Sequence, residues 1–256
     1  MTWLRSLRAP LTDPVVPATN RRIAALAFPA LGVLAAEPLY LLFDLAVVGR
    51  LGALSLAGLA IGALVMGVLS SQLTFLSYGT TARAARFYGS GDRTAAVHEG
   101  VQATWLALGI GTAIVIAVQL TAGPLVTVLA GESDGGRIAA AALPWVRIAS
   151  LAVPAILVAA AGNGWMRGVQ DTMRPLRYVV FGFAVSAVLC PLLVYGWLGA
   201  PELGLSGSAI ANVVGQWLAA GLFFRALFVE NVPLRLRPSV LRAQVVMGRD
   251  LVLRTL

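Results

Sequence analysis

Six long apolar segments, set apart by short polar stretches, make up the chain. They run over about 22–48, 56–80, 101–129, 138–164, 178–197 and 208–228. Roughly 20 apolar residues in helical conformation cross the hydrocarbon core of a bilayer. The pattern therefore predicts an all-α, polytopic membrane protein, a bundle of six transmembrane helices. The second segment, AGLAIGALVMGVLSSQ, is rich in Gly, Ala and Ser, which lets helices approach closely. Gly123-Pro124 interrupts the third segment late, Pro144 and Pro154 lie within the fourth, and Pro191 lies within the fifth.

Charge placement adds an orientation. Arg83, Arg86 and Arg93 follow the second segment, Arg167, Arg174 and Arg177 follow the fourth, and Arg235, Arg237, Arg242, Arg249 and Arg254 follow the sixth. The stretches GESDGGR and LGAPELGLSG, between these, carry carboxylates and little or no positive charge. Basic loops stay in the cytoplasm. Both ends of the chain are then cytoplasmic, as an even number of spans requires, and the setting is the cytoplasmic membrane. The organisation expected is a flexible tail over 1–20, a helical lobe over 21–230 and an amphipathic cytoplasmic linker over 231–256. Within that linker, Val240, Leu241, Val245, Leu251 and Leu253 alternate with arginines, the pattern of a helix lying along the membrane surface. The Pro-rich first twenty residues lack the apolar core of a cleavable signal.

Composition narrows the function classes. Of 256 residues 59% are hydrophobic and 12% charged, mean hydropathy is +0.84, and the net charge of +8 comes from arginines, with no Lys. Those arginines sit between apolar segments, so the charge sets topology rather than a nucleic-acid surface. A single Cys, Cys190, and a single His, His98, exclude an intramolecular disulfide, a Cys cluster and a multi-His metal site. They also supply no nucleophile–base pair for a membrane enzyme. Gly89, Gly91 and Asp92 resemble a phosphate loop only superficially, because no strand precedes them. Trp105, Trp145, Trp165 and Trp197 read as interfacial anchors, and Asp171 reads as a tether for Arg167 and Arg174.

The first segment carries the chemistry. It holds Pro29, Pro38, Glu37 and Asp44. A carboxylate at membrane depth is costly and marks an ion or proton path. Glu37 and Asp44 are seven apart, close to two helical turns, so they share one stripe. A plainer reading stands beside this one: Glu37 bonds neighbouring helices, Asp44 is an interfacial acid near Arg50, and the prolines are packing kinks. In the functional reading, Asp44 and Glu37 couple a cation, and Pro29 and Pro38 are gating kinks. Tyr40, Gln72, Ser186 and Asn212 are then candidate polar contacts in a cavity.

Several stretches, in order, resemble one family. FPALGVLAAEPLYLLFDLAVVGRLG, YGTTARAARFYGSGD, GNGWMRGVQDTMRPL, SAVLCPLLVYG, GLSGSAIAN and MGRDLVLRTL are similar to the N-terminal half of multidrug and toxic compound extrusion (MATE) transporters, in their DinF-like branch. The resemblance implies a secondary antiporter that exports cationic or amphipathic organic compounds in exchange for protons or sodium ions. It implies no other cofactor, and a fold of two six-helix lobes, of which this chain supplies one and a second is expected as partner. It makes Asp44 the cation-coupling acid. Where the family usually places Asn and Asp four apart in the fifth span, and often Thr in the sixth, this chain has Ser186, Cys190 and Asn212. A thiol carries no charge at neutral pH unless unusually acidic, so Asp44 acts alone or with Glu37. The rival readings are a flippase for lipid-linked precursors and a non-transporting membrane subunit. The length fits either a truncated chain or a half that pairs.

Overall fold

The computed structural model describes residues 15–73, 75–131 and 136–236. The expected interfacial helix over 238–256 lies outside them, as do the first fourteen residues of the expected tail. The helices are α1 (Val15–Gly49), α2 (Ala53–Leu73), α3 (Phe75–Gly89), α4 (Arg93–Ala130), α5 (Arg137–Ser150), α6 (Val153–Gly168), α7 (Met173–Tyr195) and α8 (Leu205–Val229). A short 3-10 turn over Trp197–Gly199 joins the last two. α1 begins at Val15, six residues before the apolar lobe was expected to start.

α1, α4, α7 and α8 are each long and apolar enough to cross a membrane, and α5 with α6 is so only as a bent pair taken together. The second expected segment is shared between α2 and α3, with Ala53–Leu69 as its apolar part. Exposed apolar side chains such as Phe28, Leu42, Leu120 and Val128 cover the outside. In a bilayer that surface meets lipid.

The prolines divide into two kinds. α4 continues unbroken through Gly123 and Pro124, so the expected interruption of the third span is absent. The hydroxyl of Thr127 donates back to the Gly123 carbonyl at 3.0 Å and ties the last turn. α1 likewise runs through Pro29 and Pro38, and α7 through Pro191. The sharp bend, 44°, falls between α5 and α6. Pro154 in the first turn of α6 has no N–H to give the preceding turn. Irregular backbone at membrane depth survives only if its carbonyls find donors. Gln119 Nε2 and Ser150 Oγ both donate to Arg147 O, at 2.8 and 2.7 Å, and Trp217 Nε1 donates to Leu151 O at 3.0 Å.

Small residues set the spacing between helices. A Cβ on Gly215 of α8 would stand 2.0 Å from Ser186 Oγ and 2.4 Å from Gly182 O of α7. On α2, Gly62 lies under the Trp145 ring, and on α4, Gly111 lies against Pro154. One cluster, around Trp165, Leu157, Met166 and Phe223, joins α3, α4, α6 and α8. A second, around Val48, Leu59, Val126 and Trp145, joins α1, α2, α4 and α5. Trp145 and Trp165 are thus core residues, 6% and 1% exposed, not interfacial anchors. Trp105 and Trp197 remain exposed.

The arginine-bearing ends of α3, α4, α6, α7 and α8 gather at one end of the bundle. Arg83 grips the buried carboxylate of Glu99 with two bonds of 2.7 Å. This bonding raises the Arg83 pKa above its ordinary value despite partial burial. Arg93 grips Glu230 at 2.7 and 3.2 Å. Asp92 Oδ1 accepts from Ala95 N at 2.8 Å and caps α4, so the Gly89–Asp92 stretch is a turn and helix cap. After α8 the chain turns back along α4, where Gln102 Nε2 donates to Arg235 O at 2.8 Å and Trp105 Nε1 to Leu234 O at 2.9 Å.

The contact between α7 and α8 yields a stability prediction. Gly215→Ala should destabilise the protein by about 1–3 kcal/mol, because a backbone carbonyl cannot yield to the added methyl. Gly221→Ala, on the same helix but facing open space, should change it by less than about 0.5 kcal/mol. Thermal melts of both variants in detergent check this; equal melting temperatures would contradict the packing described.

Candidate functional site

Asp44 lies five residues before the end of α1, where that helix meets α7 and α8. It is 3% exposed. A buried carboxylate needs donors. The Cys190 thiol of α7 donates to Asp44 Oδ1 at 3.2 Å. The Ser208 hydroxyl of α8 lies near the Asp44 carboxyl, and accepts from Trp145 Nε1 at 2.9 Å. One turn further on, the Tyr195 hydroxyl donates to the Val47 carbonyl at 2.5 Å and fixes α1 against α7.

Asp44 also borders a cavity of about 120 Å³. Glu37, Tyr40 and Asn212 line the same cavity, so the two acids of α1 do face one space. Tyr40 is buried and stacks on Phe183, ring centres 5.1 Å apart. Its hydroxyl lies toward Ser186, whose own hydroxyl donates to Ala211 O at 3.0 Å. Glu37 differs from Asp44 in being exposed at the cavity's edge. Ser186 and Cys190 are buried behind the wall. Gln72 falls outside the residues whose side chains are described. Pro29 is buried and Pro38 exposed, both within continuous helix.

Four further residues belong to the site. Gln216 lines the cavity and lies four after Asn212 on α8, a spacing that puts both on one face. Phe183 precedes Ser186 by three and carries the stacking contact to Tyr40. Trp145 and Ser208 bond each other behind Asp44. Nothing in the sequence distinguishes Ser208 from the other small residues of GLSGSAIAN; the fold alone brings it to α1.

The chemistry open to this arrangement is narrow. A void of this size admits several waters, each needing on the order of 10–15 Å³. Asp44 and Glu37 can accept a proton or attract a cation. An ionised carboxylate is an acceptor only, whereas a protonated one must also donate. A proton on Asp44 therefore adds a hydrogen that needs an acceptor of its own, and weakens the carboxyl as acceptor for the Cys190 thiol. Sodium wants several hard oxygen ligands, and a thiol is a poor one.

Known proteins resemble this chain over most of its length. A family model described as MatE matches residues 29–192. Protein DETOXIFICATION 44, chloroplastic, of Arabidopsis thaliana is 33% identical over 89% of this chain and 44% of its own. DNA damage-inducible protein F of Escherichia coli K12 is 30% identical over 86% of this chain and 48% of its own. The fold matches a crystal structure of MATE in the bent conformation with a TM-score of 0.78, at 24% identity, covering 91% of this chain and 52% of that one. The chain spans about half the length of these relatives.

The burial of Cys190 can be measured. In the folded protein a maleimide should label it at least roughly 100-fold more slowly than after unfolding in denaturant, since both access and the hydrogen bond to Asp44 restrain the thiol. Rapid labelling of the folded protein would contradict the buried contact.

Proposed function

Since the chain belongs to the MatE family, whose members are membrane transporters and not enzymes, we propose that it is one lobe of an exporter of cationic or amphipathic organic compounds driven by proton entry. The observation that carries this reading is the Asp44 carboxyl, buried against the Cys190 thiol and open to a cavity. Names of relatives support the direction of transport: DETOXIFICATION in one case, and "probable multidrug resistance protein NorM" of Thermotoga maritima, 26% identical, in another. A second six-helix lobe completes the transporter. The arginine-rich end faces the cytoplasm, in the cytoplasmic membrane.

The mechanism follows from hydrogen-bond capacity. With Asp44 ionised, its charge and that of Glu37 hold a cationic substrate in the cavity, with Tyr40, Asn212 and Gln216 as polar contacts. Protons arriving from outside neutralise Asp44. The substrate loses its counter-charge, the bond from the Cys190 thiol weakens, and the new hydrogen seeks an acceptor of its own. This loosens α1 from α7 and α8, and α1 can then bend at Pro29 or Pro38, where proline has already removed a backbone bond. Proton rather than sodium coupling is favoured because the group nearest Asp44 is a thiol, not a second carboxylate.

The test is efflux by the complete two-lobe transporter in vesicles. Asp44→Asn should lower pH-gradient-driven export of a cationic dye by at least roughly 100-fold, as loss of an essential charge switch does. A sodium gradient alone should drive no export in either protein. Undiminished proton-driven export by Asp44→Asn would refute the role of Asp44, and export on a sodium gradient would refute proton coupling.

A further inference from the structure

A second cavity, of about 220 Å³, adjoins the first and extends toward the arginine-rich end. Glu37, Ile156, Phe183 and Gln216 border both, so Glu37 stands at the junction. The second cavity has a different polarity. Its cation is Arg167, in the last turn of α6 and partly buried. Arg167 pairs with no carboxylate within 4 Å among the described residues. Asp171, four residues on, is engaged elsewhere: that carboxylate accepts from Arg174 N at 3.1 Å and pairs with the Arg174 guanidinium at 3.1 Å. One helical turn from Arg167, Asn163 is 8% exposed, lines the same cavity, and its Oδ1 has no hydrogen-bond partner.

A half-buried guanidinium without a counter-ion and a buried amide oxygen without a donor are both costly. A ligand with an anionic head and an adjacent hydroxyl satisfies both at once. The remaining wall is mostly apolar, from Leu34, Leu157, Ala160, Val179 and Phe183. Apolar walls with a few convergent polar groups are the usual make-up of a small-molecule site.

We infer that this cavity binds an amphipathic anion, its carboxylate or phosphate head on Arg167, a neighbouring hydroxyl on Asn163 and its apolar body against Phe183. Glu37 bounds the site. Its negative charge repels the anionic head and keeps it from the Asp44 cavity, so the two adjoining spaces sort ligands by charge. The same head chemistry is found in free hydroxy-acids and in anionic lipids such as phosphatidylglycerol. The site adjoins the one assigned to export and shares Glu37, Phe183 and Gln216 with it, and its test reads binding alone.

Binding of 3-hydroxydecanoate, decanoate and decanol to the full chain in neutral detergent is measured by calorimetry. Wild type should prefer 3-hydroxydecanoate to decanoate, and both to decanol. Arg167→Gln should weaken acid binding about ten-fold or more, and Arg167→Lys by roughly three-fold at most, because Lys keeps the charge and loses the fork. Asn163→Leu should erase the preference for the hydroxy-acid. Ala160→Trp, which fills the cavity and leaves both polar residues in the sequence, should abolish binding and keeps the test open if Arg167→Gln does not fold. Native mass spectrometry with phosphatidylglycerol and phosphatidylcholine separates the sources: retention of phosphatidylglycerol that Arg167→Gln loses assigns a bilayer lipid, and hydroxy-acid binding without lipid retention assigns a free amphiphile. Equal acid binding by wild type and Arg167→Gln, or decanol as tight as the acids, or neither acid nor lipid held through Arg167, would overturn the inference.

Discussion

Everything in this lobe is arranged around the cost of keeping one carboxyl group away from water. A carboxylate inside a bundle costs several kcal/mol unless it is bonded. Asp44 meets that requirement with a donor from α7, Cys190, and with the Ser208 hydroxyl of α8 close by. Both come near it because α7 and α8 approach through Gly182 and Gly215, and because α1 is held by Tyr195. Helix spacing, the bond from Trp145 to Ser208 and the position of α1 are consequences of the same requirement. A group bonded this way is also a switch, since adding a proton changes what its neighbours must do.

Backbone obeys the same rule as side chains. The bend at α5–α6 frees carbonyls where water is scarce, and Gln119, Ser150 and Trp217 take them up. The prolines of α1 leave no such break. The lobe therefore has one bend already made and satisfied, and a first helix that is continuous but carries two prolines. The end that carries the arginines is locked by ion pairs, and Gln102 and Trp105 hold the returning chain there. The part able to yield lies around α1, beside the cavity.

Sequence made the large features plain, for reasons that can be named. Apolar runs of bilayer length have few alternatives, so the helical segments were legible, although α4 begins at Arg93 rather than 101 and the second expected segment is split between α2 and α3. Asp44 and Glu37 stood out because charge is rare in such runs. The order of motifs gave the family. What the sequence hid depends on how helices face one another. Trp145 looks the same whether its ring lies at an interface or its N–H meets Ser208 in a core. Pro124 and Pro154 are alike in one dimension, yet α4 passes through the first and the fourth span breaks beside the second. Arg167 and Asp171 are neighbours along a helix, but Gln170 takes a left-handed conformation, φ 64°, and the turn sends Asp171 to α7. Gln216 alone was within reach, four residues after Asn212.

The most direct measurement is an infrared difference spectrum on a pH jump, with the purified protein in lipid. The carboxyl stretch of Asp44, identified by its loss in the Asn variant, should appear as the proton arrives, and the S–H stretch of Cys190 should shift in the same step. A carboxyl band that ignores pH, or an S–H band that stays fixed while Asp44 titrates, would contradict the claim that this buried pair is where the proton acts.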